Sequence, residues 1–389
     1  MEKKFVYLDY AASAPMSAAA LAAEACYEHS DIAGVNPNSL HTLGRRASSA
    51  LEGARRDIAA CLDGNFRPSD VSFTSGGTES NNLALFGLSE GMRAKNRQRK
   101  TIIISAIEHD SELDVTGALR DRGFEVKLVY PTREGIISSE AVSACLDESV
   151  ALVSVMSANN ETGVVQPIDE IAQVTHAAGA LMHTDAIQAF GRIPLTLREV
   201  DAVSIAAHKI GGPVGIGVLA LRSRIPFRPQ MFGGGQEQGR RPGTQGVRDA
   251  LAFAAAAREC TDHLDERRLL VSTRAQRLYD GLCVPGSHIV PTTDATMGSQ
   301  RLPGMVSVMV DGVDSETLIL DLDQAGFEVS AGSACSSGSL DASHVLLAMG
   351  ISRDLALGSL RISFDERIDP DDLDRFATVL RDIARRRRH

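Results

Sequence analysis

Lys209 stands alone between two apolar runs, Asp201-Ala-Val-Ser-Ile-Ala-Ala207 before it and Gly215-Ile-Gly-Val-Leu-Ala-Leu221 after it. Both runs read as buried strands. An ammonium at the junction of two core strands costs free energy unless it is paired, exposed or chemically changed. Four glycines and a proline lie within the next eight residues, so the backbone turns sharply there and lets another group come close. Condensation with an aldehyde cofactor as a Schiff base resolves the conflict; a surface lysine in a β-turn is the plainer alternative. Asp185 closes another apolar run, Leu181-Met-His-Thr, 24 residues before Lys209. A carboxylate buried there needs a partner, and a protonated pyridine nitrogen is a good one; a helix N-cap is the plainer reading. The stretch Phe73-Thr-Ser-Gly-Gly-Thr-Glu-Ser-Asn-Asn82 follows a strand and opens a helix. Its glycines and hydroxyls leave backbone N–H groups at the positive end of that helix, a ready anion site. Capping by Thr78 or Ser80 explains the hydroxyls but does not call for two glycines. Together, Asp185, Lys209 and this turn would be the acid, the amine and the phosphate cradle of one pyridoxal phosphate site.

Three further residues carry chemistry. His109 ends Ile102-Ile-Ile-Ser-Ala-Ile-Glu-His, again just past a strand, where an imidazole can lie on a cofactor ring and shuttle protons; a partly buried structural histidine is the alternative. Cys335 sits in Val329-Ser-Ala-Gly-Ser-Ala-Cys-Ser-Ser-Gly-Ser-Leu340, too rich in serine and glycine to pack as a core strand. An accessible thiol on such a segment suits a travelling nucleophile, whereas Cys26, Cys61, Cys145, Cys260 and Cys283 read as small buried hydrophobes. Arg361, in Gly358-Ser-Leu-Arg-Ile-Ser-Phe, could hold an amino-acid carboxylate bidentately or form a surface ion pair.

The elements that must position these residues alternate. Short apolar runs begin near residues 70, 101, 125, 151, 181, 202 and 217, with helical stretches at 81–90, 111–122, 139–146 and 168–178 between them. That order predicts an α/β fold: a large domain with a mostly parallel seven-stranded sheet flanked by helices, its ligands at the carboxyl ends of the strands. A Gly-, Pro- and Arg-rich crossing segment covers 222–244, and one long helix or two shorter ones cover 249–281. Beyond Pro303, strands near 305, 327 and 359 and helices at 315–325 and from about 371 predict a smaller α+β C-terminal domain. The expected division is 15–259 for the large domain, with 1–14 and 260–389 forming the small one.

The formal net charge of −10 argues against a general nucleic-acid or membrane-surface binder, and the basic end Arg385–His389 reads as a solvated tail. No run of about 18 apolar residues exists to span a bilayer, and the N-terminus lacks a signal-peptide core. The six cysteines form no CxxC pair and no zinc spacing, which points to no metal site and to reduced thiols in a cytoplasmic protein.

The chain resembles the cysteine desulfurases of the nitrogenase and iron–sulfur-cluster type, within the class V aminotransferase superfamily. The resemblance spans residues 5–380 and rests on Tyr7-Leu-Asp-Tyr-Ala-Ala, Asn36-Pro-Asn-Ser, Phe73-Thr-Ser-Gly-Gly-Thr-Glu-Ser, Glu108-His, Asn159-Asn-Glu-Thr-Gly, Asp185-Ala-Ile-Gln, His208-Lys, Gly233-Gly-Gly-Gln-Glu and Gly332-Ser-Ala-Cys. It implies that Lys209 carries pyridoxal 5'-phosphate, that Asp185 pairs with the pyridine nitrogen and that His109 stacks on the ring. It also implies that Asn160 and Gln188 bond the phenolic oxygen, while Gly77, Thr78 and His208 approach the phosphate. Thr244 would reach that phosphate from the partner subunit of a homodimer, and Arg361 and Asn36 would hold the carboxylate of L-cysteine. Cys335 would take the sulfur as a persulfide, with His109 as the nearest base, and pass it to an acceptor protein, an iron–sulfur scaffold or a tRNA-thiolation carrier. Selenocysteine or a sulfinate are alternative substrates, and a cofactor-free scaffold subunit is the alternative of a different class. One departure stands out: Ala206-Ala-His-Lys replaces the usual Ser-Gly-His-Lys or Ala-Gly-His-Lys, so where Ser is usual the phosphate loses a hydroxyl and a weaker grip is expected.

Overall fold

In a computed structural model, residues 5–63, 66–294, 300–332 and 341–387 are described. The large sheet comprises β2 (Val71–Thr74), β3 (Thr101–Ser105), β4 (Glu125–Val129), β5 (Val150–Ser154), β6 (Leu181–Asp185), β7 (Ala202–Ala206) and β8 (Gly217–Leu221); a short β1 (Val6–Tyr7) precedes them. Their order is β2-β8-β7-β6-β5-β3-β4, and β8 alone among them runs antiparallel to its neighbours. The period-2 pleat sorts the side chains. Ile103, Val153, Met182, Val203, Val218 and Ala220 enter one apolar cluster, while Ile102, Ile104, Leu152, Leu181, Leu219 and Leu221 enter the opposite one. Both faces are therefore dry and helix-covered, the usual state of a parallel sheet.

The C-terminal part contributes β9 (Ile289–Pro291), β10 (Met305–Val310), β11 (Phe327–Glu328), β12 (Ser330–Ala331) and β13 (Ser359–Ser363). A four-stranded sheet runs β12-β13-β10-β9, and β1 pairs in parallel with β11. Val6, Leu8, Tyr10 and Ala14 belong to the same apolar cluster as Val306, Val308 and Leu360 and the helices Leu264–Leu282 and Pro370–Arg387. In contrast, Val345, Leu346, Met349, Ile351 and Ala356 pack into the core of the large sheet.

Some boundaries differ from the sequence expectation. The helix expected at 81–90 begins four residues earlier and spans Gly77–Lys95, because its glycines pack tightly rather than loop. The helix expected at 111–122 is two, Asp110–Leu113 and Val115–Asp121. The 249–281 stretch, by contrast, takes the second of its two expected forms, with helices Val247–Asp262 and Leu264–Leu282 meeting at His263.

Candidate active site

Strands β2, β7, β6, β5 and β3 are parallel, so their carboxyl ends open on one edge of the sheet. That edge carries, in spatial order, the Gly76-Gly77 turn, the 3-10 turn Ala207–Lys209, Asp185 with Gln188, Asn160, and His109. A cavity of about 280 Å³ lies there. Nine of the residues singled out above line it: Gly77, Thr78, His109, Asn160, Asp185, Gln188, His208, Lys209 and Arg361.

The Gly76-Gly77 turn is dictated by packing. Gly76 sits at φ 153° and ψ −175°, a region open essentially only to glycine. A Cβ on Gly77 would strike Ile187 Cδ1, and one on Gly217 would lie 2.7 Å from the Gly76 carbonyl carbon. No side chain caps the helix Gly77–Lys95. Ser80 Oγ instead donates to the Gly76 carbonyl at 3.1 Å, and Glu79 accepts the Ser75 N–H at 2.5 Å. Simple capping by Thr78 or Ser80 is therefore not what the turn is for. Its uncapped first amides stand at the cavity, where the helix dipole favours an anion.

Asp185 is 5% exposed and its two oxygens are engaged. Oδ1 accepts the Ile187 N–H at 2.8 Å and Oδ2 accepts from Asn81 Nδ2 at 2.7 Å, so it caps no helix of its own. Burial pushes its pKa up, while those donors, with His109 and Lys209 nearby, pull the other way. Lys209 Nζ donates to the carbonyls of Ala11 at 2.6 Å and Ala12 at 2.9 Å, drawing the N-terminal segment over the sheet edge. Gln188 Nε2 donates to the same Ala11 carbonyl at 2.9 Å, and its Oε1 is buried with no partner among the described residues. His208 is pushed down to about 4 by burial and by Lys209, which keeps its imidazole neutral.

Arg361, on β13, is 2% exposed and joins the two parts of the chain. Nη1 donates to the Asn160 carbonyl at 3.0 Å and Nη2 to Asp9 Oδ1 at 2.8 Å, while Nε is buried without a partner among the described residues. The plain alternative of a surface ion pair does not describe it. Asn36 and Thr244 are exposed and lie outside the cavity wall. Asn36 Oδ1 accepts from the Asn38 amide, whose Nδ2 reaches Gln245 Oε1 at 2.9 Å, so Asn36 shares a surface patch with the segment carrying Thr244. Cys335 lies outside the described residues.

Several polar residues beneath the cavity escaped the sequence reading. Asn81 and Ser111 link Asp185 to His109. Behind them lie Glu108, Glu112 and His183, each fully buried. Met156 N–H and Ser105 Oγ donate to Glu108, and Ser154 Oγ donates to Glu112 at 2.6 Å. Burial and mutual repulsion raise the Glu108 pKa well above the usual carboxylate range, and burial with Asp185 takes Glu112 to about 8. His183 is pushed down to about 3 by burial alone. A signal was available, since His183 precedes Asp185 by two on one strand and so shares its face.

This set of a lysine, a buried aspartate and an uncapped helix N-terminus at parallel strand ends defines a pyridoxal phosphate enzyme of the aminotransferase kind. The Aminotransferase class-V family signature matches residues 6–376, and the chain belongs to that family. An "IscS-like cysteine desulfurase" of Mycobacterium tuberculosis is 39% identical over 388 residues, 98% of this chain and 97% of the relative. Among solved structures, a NifS-like protein aligns with a TM-score of 0.88 at 32% identity, covering 97% of this chain and 99% of its own. "SspA in complex with cysteine" aligns at 0.77 and 30%, covering 92% and 98%.

Family members work with pyridoxal 5'-phosphate. The residues present fit it: a buried acceptor at Asp185 suits a pyridinium N–H, the orphaned Gln188 Oε1 marks an unfilled polar position, and the uncapped amides suit a phosphate. Ala206 also lines the cavity, and its methyl lies 3.7 Å from where a Cβ on Gly77 would stand, so it fills space beside the turn without adding a donor.

Proposed function

We propose that the protein is a cysteine desulfurase that converts L-cysteine to L-alanine and carries the sulfur as a persulfide on Cys335. The supporting observation is the cavity itself, where Lys209, Asp185 and the uncapped Gly77 helix converge at five parallel strand ends in a chain similar throughout its length to cysteine desulfurases.

Pyridoxal phosphate, when bound, supplies an aldehyde that condenses with amines and a ring that accepts the electron pair released at the substrate Cα. The chain's own residues do the rest. Lys209 Nζ would hold the cofactor and, as an amine, would take and return the substrate Cα proton. Asp185 keeps the ring nitrogen protonated through charge. Gly77, Thr78 and His208 would hold the phosphate, Asn160 and Gln188 would serve the phenolic oxygen, and His109 would serve the ring. Arg361 binds the substrate carboxylate with the guanidinium protons not already given to Asn160 and Asp9. The Cys335 thiolate attacks the substrate Sγ, so that an S–S bond forms as the Cβ–S bond breaks. The electron pair of the broken bond is protonated, leaving alanine and Cys335–S–SH. The persulfide sulfur then goes to the thiol of an acceptor protein, an iron–sulfur scaffold or a tRNA-thiolation carrier.

The working unit is a cytoplasmic homodimer in which Thr244, with Asn36 on the same surface patch, serves the partner's site. Supporting this, Leu40 and Phe232 on the two segments of that patch are 88% and 89% exposed. The chain divides into a large unit, 15–259, and a small one, 1–14 with 260–389. The packing of Val6, Leu8 and Tyr10 with the C-terminal cluster supports that division.

Cofactor-loaded enzyme given L-cysteine and a reducing thiol should yield alanine and sulfide in equal amounts. Cys335→Ala should lower that turnover at least about a hundredfold while keeping the cofactor absorbance. Full turnover by this variant, or a persulfide mapped to another cysteine, would overturn the assignment.

A further inference from the structure

We propose that Asn81 and Ser111 are positioning residues that fix His109 as the tautomer bare at Nδ1 and protonated at Nε2, so that it serves the cavity as a hydrogen-bond donor and not as a base. The tautomer follows from the chain's own hydrogen bonds; its use in turnover rests on the desulfurase reading above.

The direction of each bond is set from the Asp185 end. An ionised carboxylate only accepts, so Asn81 presents its amide nitrogen to Asp185 Oδ2 at 2.7 Å. The second proton of that nitrogen goes to Ser111 Oγ at 2.9 Å. Ser111 Oγ thus accepts from Asn81, and its single proton turns to His109 Nδ1, also at 2.9 Å. The backbone N–H of Ser111 points to the same nitrogen at 3.0 Å. Two donors therefore converge on Nδ1. A proton there would oppose the main-chain N–H, which cannot reverse, so the ring proton sits on Nε2.

The consequence bears on sulfur transfer. A ring already protonated on Nε2 and blocked at Nδ1 has no free nitrogen with which to take the thiol proton from a nucleophile. Activation of Cys335 must then come from elsewhere, and Lys209 and Asp185 are charged groups lining the same cavity. The role left to His109 is to direct an N–H toward the cofactor and substrate.

The test reads ring nitrogens directly. Cofactor-loaded protein labelled with 15N-histidine is examined by long-range proton–nitrogen correlation near neutral pH, with His109→Gln identifying the His109 signals by their loss. The expected pattern is a bare, pyridine-like Nδ1 and a protonated Nε2. Ser111→Ala should move the Nδ1 resonance, and Ser111→Thr, which keeps the hydroxyl, should restore it. A protonated Nδ1, or an Nδ1 signal identical in Ser111→Ala and wild type, overturns the proposal whatever the enzyme's activity. In turnover, His109→Gln places an N–H near the Nε2 position and His109→Asn places one near Nδ1. The glutamine variant should exceed the asparagine variant by about tenfold. Equal loss in both would show that the tautomer has no part in turnover, while loss of desulfurase activity in wild type would sink only the functional reading.

Discussion

Two buried acidic sites in this protein look alike by composition and differ in what faces the charge. Glu237 and Arg55 have side chains 0% and 2% exposed, and every group is matched. Arg55 donates to both Glu237 oxygens, at 2.6 and 2.9 Å, and to the Val71 carbonyl. The Phe73 N–H and Gln245 Nε2 complete the carboxylate. This pair pins the irregular 222–244 segment to β2 and to the helix Thr42–Cys61, which accounts for the Glu at the end of Gly233-Gly-Gly-Gln-Glu. Beneath the cavity, Glu108 and Glu112 face hydroxyls, an amide and the neutral His183 ring, 3.6 Å from Glu112 Oε1, and among the described residues Glu108 Oε2 and Glu112 Oε1 have no hydrogen-bond partner. With no cation against them, they hold protons. Of the three floor acids, Asp185, which accepts from two N–H donors, is the one left to carry charge toward a cofactor. A matched carboxylate builds structure; an unmatched one is neutral or waits for a ligand.

The largest effect should come from removing the charge that Asp185 and a cofactor share the cavity with. Lys209→Ala should abolish the visible absorbance of bound cofactor and lower turnover by about a thousandfold or more, within the range for a lost acid–base group. Melting temperature of the cofactor-free protein should change little, because Lys209 Nζ donates to two main-chain carbonyls in a half-buried setting. A variant that keeps both absorbance and turnover would remove Lys209 from the site.

Next comes the matched pair. Glu237→Ala leaves the buried Arg55 guanidinium with only the half-exposed Glu52 at its Nε, and losing a buried partner of this kind typically costs about 3–5 kcal/mol. Chemical denaturation should show that loss at every pH between 6 and 9, with Arg55→Met plus Glu237→Leu recovering part of it. The floor should answer with the opposite sign. Glu112, with a pKa of about 8, is protonated in the folded protein over a range where the unfolded chain, titrating near 4.5, has lost the proton. Stability therefore falls as pH rises from about 4.5 through about 8. Glu112→Gln, which cannot ionise, should be about 1–3 kcal/mol more stable than wild type at pH 9 and nearly equal to it at pH 5. A Glu112→Gln protein destabilised equally at both pH values would place Glu112 with Glu237 and erase the distinction.

The edge of the cavity was legible in the sequence for a definite reason. Lys209, Asp185 and Gly76-Gly77 interrupt apolar runs at their ends, and a polar residue or glycine at such a place has few structural explanations. The seven runs also fixed the sheet, since strands dry on both faces leave continuous apolar stretches. Asn81, Ser111, Glu112 and Ser154 gave no such signal. The first three sit in helices or beside one, where polar side chains are ordinary, and their burial arises only when the helices Gly77–Lys95 and Asp110–Leu113 close on the sheet. Periodicity alone starts this helix at residue 81 because glycines carry no apolar signal, whereas the close approach of Ile187 and Gly217 requires them at its first turn.

Glu161 stands between the two kinds of site and gives the finest test. It is 4% exposed, accepts from Ser343 Oγ, and feels the positive charge of Arg361 without touching it. A Cβ on Gly332 would lie 3.4 Å from its Oε2, so little room is left around the carboxyl. Burial raises its pKa to about 7, against the pull of Ser343 and Arg361. The folded protein again holds a proton the unfolded chain gives up, so stability is lost between about 4.5 and about 7 as pH rises. Glu161→Gln keeps an acceptor for Ser343 and should flatten that slope, with a gain of about 1–2 kcal/mol at pH 8 and none at pH 5. The gain should be smaller than for Glu112→Gln, because Arg361 already stabilises part of the charge. If Glu161→Gln instead loses stability at pH 8, the ionised carboxylate is matched by Arg361 and belongs with Glu237.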